Sequence, residues 1–459
     1  MKIETVRSKC MVQWGRLDAK YFLSPGVKAA DRMAACKLRG LNTSLLGGNG
    51  GLGRVWAPLR FKRAYAAPGE PSVPYLRPYD AFEYLPVAAD QLSALRTRRL
   101  DTYRLRKGMI LQTCSGRNLG PALMVDDYLA RFVLSHDMVR IEIEDEQMRY
   151  YVLAFLQSET GQQLLKRDKT GSVIDHISDS HVAAMEIPLF SEKARKAVSN
   201  AMREAVTLRE EARVELSDLL EQYEAKLPDP SRTNLTKIGW TFYAEDFGTR
   251  LDAANHDPVV PSLRKKLMKI GGAPVKTVAK VMKPAGRYKT YYVEPEYGRP
   301  ILSGAQLLQA HPINLRYMSP RAFKSVTPYE LKQGWIAYPA DGRAEEALGL
   351  PSLITSDRDG WLASGHVGRL VPRDGVSPGW LWLACRTQHV QMQIKAAASG
   401  SVVDSTFPAD MEDVILPPPL SIDTSHVEAQ WEKFSRAQRA ESDATAIVEN
   451  ELERLVEKA

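Results

Sequence analysis

Two stretches of the chain repeat apolar or small residues every three to four positions over a length that few soluble helices reach. From Ser191 to Leu227 there is no Gly or Pro, and the stripe runs Val198, Ala201, Ala205, Leu208, Ala212, Leu216, Leu219, Tyr223. From Thr424 to Ala459 the same texture returns as Val427, Trp431, Phe434, Ala437, Ala444, Val448, Leu452, Leu455. Steps of three and four place these side chains on one helix face. Ser191 with Glu192, and Ser425 with Glu428, supply N-cap hydroxyls and first-turn carboxylates for the orphan amides of the two helix starts. Helices of about 35 residues would extend roughly 50 Å at 1.5 Å per residue, too far to fold inside one small domain. The economical arrangement pairs the two stripes with each other as an antiparallel coiled coil.

Elsewhere the pattern is mixed and short in period. Met138-Val139-Arg140-Ile141-Glu142-Ile143 alternates apolar with polar, Gly334-Trp335-Ile336-Ala337-Tyr338 is rich in β-formers, and Gly108-Met109-Ile110-Leu111-Gln112 follows a Lys-Gly turn; all three read as strands. Gln147 to Lys166 and Gly379 to Lys395 read as helical pieces. The fold class is α+β, and Pro228-Asp229-Pro230-Ser231-Arg232-Thr233-Asn234 is a polar, proline-rich linker between halves.

The two halves are copies. Thr170-Gly171-Ser172-Val173-Ile174-Asp175 returns as Ser399-Gly400-Ser401-Val402-Val403-Asp404, and Arg16-Leu17-Asp18-Ala19 as Arg250-Leu251-Asp252-Ala253. Between these, Arg60-Phe61-Lys62-Arg63-Ala64-Tyr65 matches Arg287-Tyr288-Lys289-Thr290-Tyr291-Tyr292, Leu105 to Gly108 matches Leu331 to Gly334, and Ile187-Pro188 matches Leu416-Pro417. The order is kept at offsets of 226 to 234 residues, too long for a solenoid unit, so each copy is a domain with its own core.

Composition excludes more than it identifies. With 44% hydrophobic and 25% charged residues among 459, the chain is neither disordered nor a membrane protein. The start, Met1 to Arg7, lacks the apolar core of a signal peptide, so a cytoplasmic location is expected. Cys10, Cys36, Cys114 and Cys385 are scattered without a paired spacing, which supports no zinc ribbon or disulfide framework. The eight histidines fall in no metal-ligand spacing, so no metal is expected. Gly48-Asn49-Gly50-Gly51-Leu52-Gly53 fits a dinucleotide-binding expression but lacks the strand before and helix after that a phosphate cradle needs, and reads as a loop. No catalytic constellation is found, and no cofactor of the chain's own is expected.

The net charge of +7 favours an anionic partner. Basic residues interleaved with aromatics in turn-rich segments suit nucleic acid, since lysine and arginine neutralise phosphates and arginine forks read guanine. In the first copy the candidates are Arg60, Lys62, Arg63, Arg77, Arg96, Arg98, Arg99 and Arg117; in the second they are Lys283, Arg287, Tyr288, Lys289, Lys332 and Arg343.

Taken together, Arg16 to Phe22, the Leu105-x-x-Gly108 turn, the two Gly-Ser-Val elements leading to Ile187-Pro188 and Leu416-Pro417, and the two long helices resemble the specificity subunit of type I restriction-modification systems, or of a related methylation-associated defence system. The resemblance covers essentially the whole chain. It implies two similar target recognition domains separated and joined by two long helices: residues 1–190 and 237–420 as the domains, 191–227 and 421–459 as the spacer helices, and 228–236 as the linker. It further implies a non-catalytic reader of bipartite double-stranded DNA that docks two methyltransferase subunits, where S-adenosylmethionine would bind, and that a motor-nuclease subunit can join. A stand-alone DNA-modifying enzyme with a diverged site, and a two-module protein-binding tether, are the alternatives from other classes. The Asn-and-Gly-rich loop at 42 to 53 has no partner in the second copy, and Asp252 to His256 lacks the aromatic pair Tyr21-Phe22, both departures from an equal duplication.

Overall fold

Both glycine-free stretches are long helices, Glu192–Glu224 and Thr424–Glu457, in the computed structural model, which describes residues 19–22, 24–116, 119–167, 176–230, 253–284, 289–322, 325–344, 346–400 and 403–457. The first starts as expected, with the Ser191 hydroxyl accepting from the Ala194 amide. The second differs: the Asp423 carboxylate, not Ser425, accepts the amides of Ser425 and His426. A carboxylate one residue outside the helix satisfies the orphan amides and also opposes the positive end of the dipole, so it wins over the hydroxyl.

The chain divides into two units, Met1–Phe82 with Pro86–Glu210 and Arg436–Ala459, and Glu83–Leu85 with Glu211–Ser435. In the first unit a four-stranded antiparallel sheet is ordered Arg54–Trp56, Met138–Glu142, Ile110–Thr113, Ala122–Met124. A smaller sheet pairs Asp90–Ser93 with Ser72–Leu76 and, in parallel, Val133–Leu134; Tyr65 bridges to Leu92 at its edge. Strand Asn42–Leu45 pairs with Glu186–Leu189. The core gathers the sheet, the helix Glu146–Gln157 and one face of each long helix, with Val198, Met202, Ala205 and Val206 in the same apolar cluster as Ala440, Ala444, Val448 and Leu452. Leu455 packs at its margin.

The second unit repeats this plan. Its larger sheet is ordered Ala279–Met282, Val367–Pro372, Ile336–Pro339, Ser352–Leu353, and its smaller one Tyr292–Val293, Arg316–Met318, Arg299–Leu302, Leu362–Ala363, again with the last pair parallel. Ala273–Pro274 with Ile415–Leu416 answers the strand pair of the first unit. Here Leu208, Ala212, Leu216 and Tyr223 are buried, Leu208 belonging to the first unit's share of the helix, and so are Val427, Trp431 and Phe434; Leu219 is half-buried. Within this unit Glu211 pairs with Lys433 at 2.8 Å and Glu215 with His426 at 3.3 Å, so the numbering of the two helix segments runs in opposite senses.

Two sequence expectations need correction. The single helical pieces at Gln147 to Lys166 and Gly379 to Lys395 are each two helices, Glu146–Gln157 with Glu159–Arg167 and Pro378–Arg386 with Gln388–Ala397. The break comes from a hydroxyl rather than a Gly or Pro. Ser158 donates to the Phe155 carbonyl and accepts from the Gly161 amide, while Thr387 donates to Ala384 and accepts from Val390, closing one helix and capping the next. The strand Met138–Glu142 is not half-exposed as its alternation suggested: Arg140 is buried with its neighbours, because both faces of this inner strand are covered. The glycine-rich loop at 48 to 53 leads into a strand, so no helix N-terminus stands ready for a phosphate. Among the described residues no helix is long and apolar enough to cross a membrane.

Candidate nucleic-acid interface

In the first unit the predicted cations fall on two loops, residues 57–71 and 94–104, that the fold brings together. Backbone bonds join them: Ser93 N to Ala64 O at 2.7 Å and Ala66 N to Gln91 O at 2.9 Å. The first loop is pinned at its tip, where Phe61 stacks on Tyr103 at 3.9 Å and the Tyr103 hydroxyl donates to Leu59 O at 2.9 Å. Arg60, Lys62, Arg63, Arg98 and Arg99 are exposed and, among the described residues, make no ion pair; the Arg63 guanidinium lies 5.8 Å from the Tyr75 ring centre. Arg99 holds a left-handed φ of 55° at the entry to a short 3-10 turn, which turns it outward from the loop.

Other candidates are compensated inside the unit. Arg96 pairs with Glu70 at 2.7 Å and donates to Tyr65 O at 2.6 Å; the Arg96 hydrogen bond, reinforced by Ser93, holds the Glu70 carboxyl down at about 2. Arg77 lies 3.4 Å from Asp90. These two fix the geometry of the loops, and their charge is largely spent there. Arg117 lies outside the described residues, as do Arg287, Tyr288 and the repeated Gly-Ser-Val elements in whole or part.

The second unit is more uneven. Lys283 is turned inward, 2.9 Å from Asp341 and 3.2 Å from Thr406 O. Burial acts to raise the Asp341 carboxyl, but hydrogen bonds from Ser405, Lys283 and His366 outweigh it and leave the group below its ordinary value. Lys332 reaches Glu330 at 3.6 Å, a carboxylate already shared with Arg299 at 2.7 Å, and Arg343 stands 3.9 Å from Glu346. Lys289 is exposed without an ion pair among the described residues. Beside it Tyr291 and Tyr292 are about half exposed, and the Arg316 guanidinium sits 4.7 Å from the Tyr292 ring centre.

What composition-level reasoning missed is a pair of buried arginines, Arg140 and Arg369, at equivalent strand positions 229 residues apart and 1% and 0% exposed. Arg140 donates to the carbonyls of Thr102 and Tyr103 at 2.5 and 3.0 Å. Arg369 donates to Tyr329 at 2.8 Å and to Glu330 at 3.1 Å, the matching turn, and further to Val367 and Ala363. Burial lowers Arg140 to about 10, which still leaves it charged at neutral pH. Each fork therefore staples the turn that precedes the central strand, and with it, in the first unit, the loop bearing Arg98 and Arg99. The signal was present in the register of the repeat, where Tyr103 matches Tyr329 and Arg140 matches Arg369.

The same register fixes Gly108 and Gly334 at φ of 83° and 82°, where a side chain would be strained, and each amide bonds across to the next strand at Val125 and Ile354. Among the described residues no cluster of three or more His, Cys, Asp or Glu is placed to hold a metal ion.

A duplicated α+β scaffold with cation-bearing loops set around a small sheet in each copy is the class that fold and site define. No protein-family model matches the chain, and no curated protein does. In structure it is similar to the S subunit of a type I restriction-modification system from M. genitalium, at 12% identity and a TM-score of 0.34, over 91% of this chain and 96% of that one. It is also similar to a chain solved in work on complex assembly and conformational transition of the type I R-M system (14% identity, TM-score 0.29, 91% and 97% covered). A third similar structure is the HsdS subunit from Thermoanaerobacter tengcongensis (12%, 0.26, 89% and 96%).

Proposed function

We propose that the protein is the non-catalytic DNA-specificity subunit of a type I restriction-modification complex or a related methylation-associated system. Its two units act as target recognition domains, each reading one part of a bipartite duplex site. The long helices form an antiparallel coiled coil that sets the distance between the parts and docks two methyltransferase subunits, and a motor-nuclease subunit can join. S-adenosylmethionine binds in those partners, and the assembly works in the cytoplasm. The observation that carries this reading is the repetition of one fold, down to the strand order and the buried arginine staple, with uncompensated cations exposed on matching loops of both copies. Cations on loops around a rigid sheet can follow a phosphate backbone while loop side chains meet base edges.

The test has two arms. The purified chain should bind duplex DNA with a steep fall in affinity as salt rises, and transfer no methyl group from labelled S-adenosylmethionine unless the gene products encoded beside it are added. Methyl transfer by the chain alone would refute the assignment. Inserting about one heptad in both long helices adds roughly 10 Å, so the preferred gap between half-sites should grow by about 3 base pairs with each half unchanged. A gap that stayed fixed would remove the spacer role.

A further inference from the structure

The two units share some exposed groups and differ in others, and that division separates two kinds of contact. Lys62 and Tyr65 in the first unit stand where Lys289 and Tyr292 stand in the second, 227 residues on. The structure supports this register independently of the sequence match. Tyr65 bridges to Leu92 on the edge of the small sheet, and Tyr292 pairs with Met318 at the same edge of the other. The two rings are equally open, at 49% and 48% exposure, and both lysines are exposed without an ion pair among the described residues. Each tyrosine also has a guanidinium at its back: Arg96 donates to Tyr65 O at 2.6 Å, and Arg316 lies 4.7 Å from the Tyr292 ring. By contrast Arg98 and Arg99 match Ser325 and Val326, which carry no charge.

Two parts of a bipartite site differ in base sequence but share one sugar-phosphate backbone. A contact made by the same residues at the same place in both units can only use what the two parts have in common. Lysine neutralises a phosphate, and a phenol hydroxyl donates to a phosphate oxygen. We infer that Lys62 with Tyr65, and Lys289 with Tyr292, are a matched pair of backbone anchors that hold each unit in register on the duplex, and that sequence is read by groups the units do not share, Arg98 and Arg99 among them.

This rests on the DNA-reading function proposed above, and the experiment separates the two. The full chain, wild type and variants, is equilibrated with a randomised duplex library over a range of salt, and bound and free fractions are sequenced. Tyr65→Phe and Tyr292→Phe should each weaken binding about tenfold, the size of one hydrogen bond to a charged group, without altering the selected sequence. Lys62→Ala and Lys289→Ala should each lower the slope of log affinity against log salt by about 0.9. Arg98→Ala with Arg99→Ala should change the sequence selected. Unchanged thermal melting keeps a folding defect from passing as lost contact. If the tyrosine variants shift the selected sequence at one position, or if neither tyrosine nor lysine variant changes affinity, the anchors are wrong while the reader function stands. If wild-type chain shows no salt-dependent binding, the reader function fails and the anchors fall with it.

Discussion

Replacing Arg369 by Met tests whether a buried guanidinium, rather than the apolar core around it, holds the second unit's central turn. The side chain is fully buried and donates to four carbonyls: Tyr329 and Val367 at 2.8 Å, Glu330 at 3.1 Å and Ala363 at 3.3 Å. Met fills most of the stem's volume but leaves those oxygens without donors, at about 1 kcal/mol or more each. The relief of no longer burying a charge returns part of that cost. A net loss of about 3 kcal/mol is expected. Arg140→Met should lose about half as much, since two carbonyls are involved. Native-state hydrogen exchange resolves this where a global melt of two units would not, because the amides of Ile336–Pro339 report on the second unit and those of Ile110–Thr113 on the first. The Arg369 variant should speed exchange about a hundredfold in the former and leave the latter unchanged. Arg369→Lys should recover little, because an ammonium cannot present a planar fork to several acceptors. A loss below about 1 kcal/mol, or an Arg140 effect larger than that of Arg369, would refute the counting of carbonyls on which the magnitude rests.

Three further outcomes follow from single contacts. The Glu70 carboxyl, held at about 2 against an ordinary 4.5, contributes stability that is present above about pH 4.5 and is lost as pH falls toward 2; the melting temperature should drop further between pH 5 and pH 3 in wild type than in Glu70→Gln, and equal drops would contradict the Arg96 pairing. Glu449 accepts from Arg32 at 2.6 Å and from the Thr160 amide and hydroxyl at 2.7 and 2.8 Å, so Glu449→Ala should cost about 2 kcal/mol and raise exchange in Glu159–Arg167; protection left intact there would count against it. Tyr223 donates to Pro418 O at 2.7 Å and accepts from the Trp380 indole at 3.2 Å, so Tyr223→Phe should destabilise the second unit by about 2 kcal/mol in urea unfolding although it keeps the ring, and a neutral result would mean the hydroxyl adds nothing to packing.

The long helices were legible because a stripe sustained for more than thirty residues admits few alternatives, and Val198, Ala205, Ala444, Val448 and Leu452 occupy a common core in the structure. Local competition between caps was not legible: Asp423 and Ser425 both suit an N-cap, and only backbone geometry decides between them. Nor were the breaks at Ser158 and Thr387, where a hydroxyl does the work usually marked by Gly or Pro. Among the candidate cations, sequence could find positive charge but not its neighbours. Arg60, Lys62 and Arg98 look like Arg96 and Lys283 until Glu70 and Asp341 are seen beside the latter two, supplied from 26 and 58 residues away. Arg140 was hidden for the opposite reason, because a charged residue in an alternating strand is normally placed on the wet face.

Duplication turns each of these hidden features into a comparison. A residue kept in both copies and buried, such as Arg140 with Arg369 or Gly108 with Gly334, answers to the scaffold, because its partners are backbone groups of its own unit. A residue kept in both copies and exposed, such as Tyr65 with Tyr292, has no internal acceptor for its hydroxyl to explain it, and so answers to something outside that both copies meet. Exposed groups that differ, such as Arg98 opposite Ser325, are free to diverge because the scaffold does not need them. Exchanging only the unmatched loop residues between units should therefore move sequence preference from one half to the other while leaving melting and salt dependence in place. Preference that stayed with the stapled turns instead would show that the scaffold itself carries the reading.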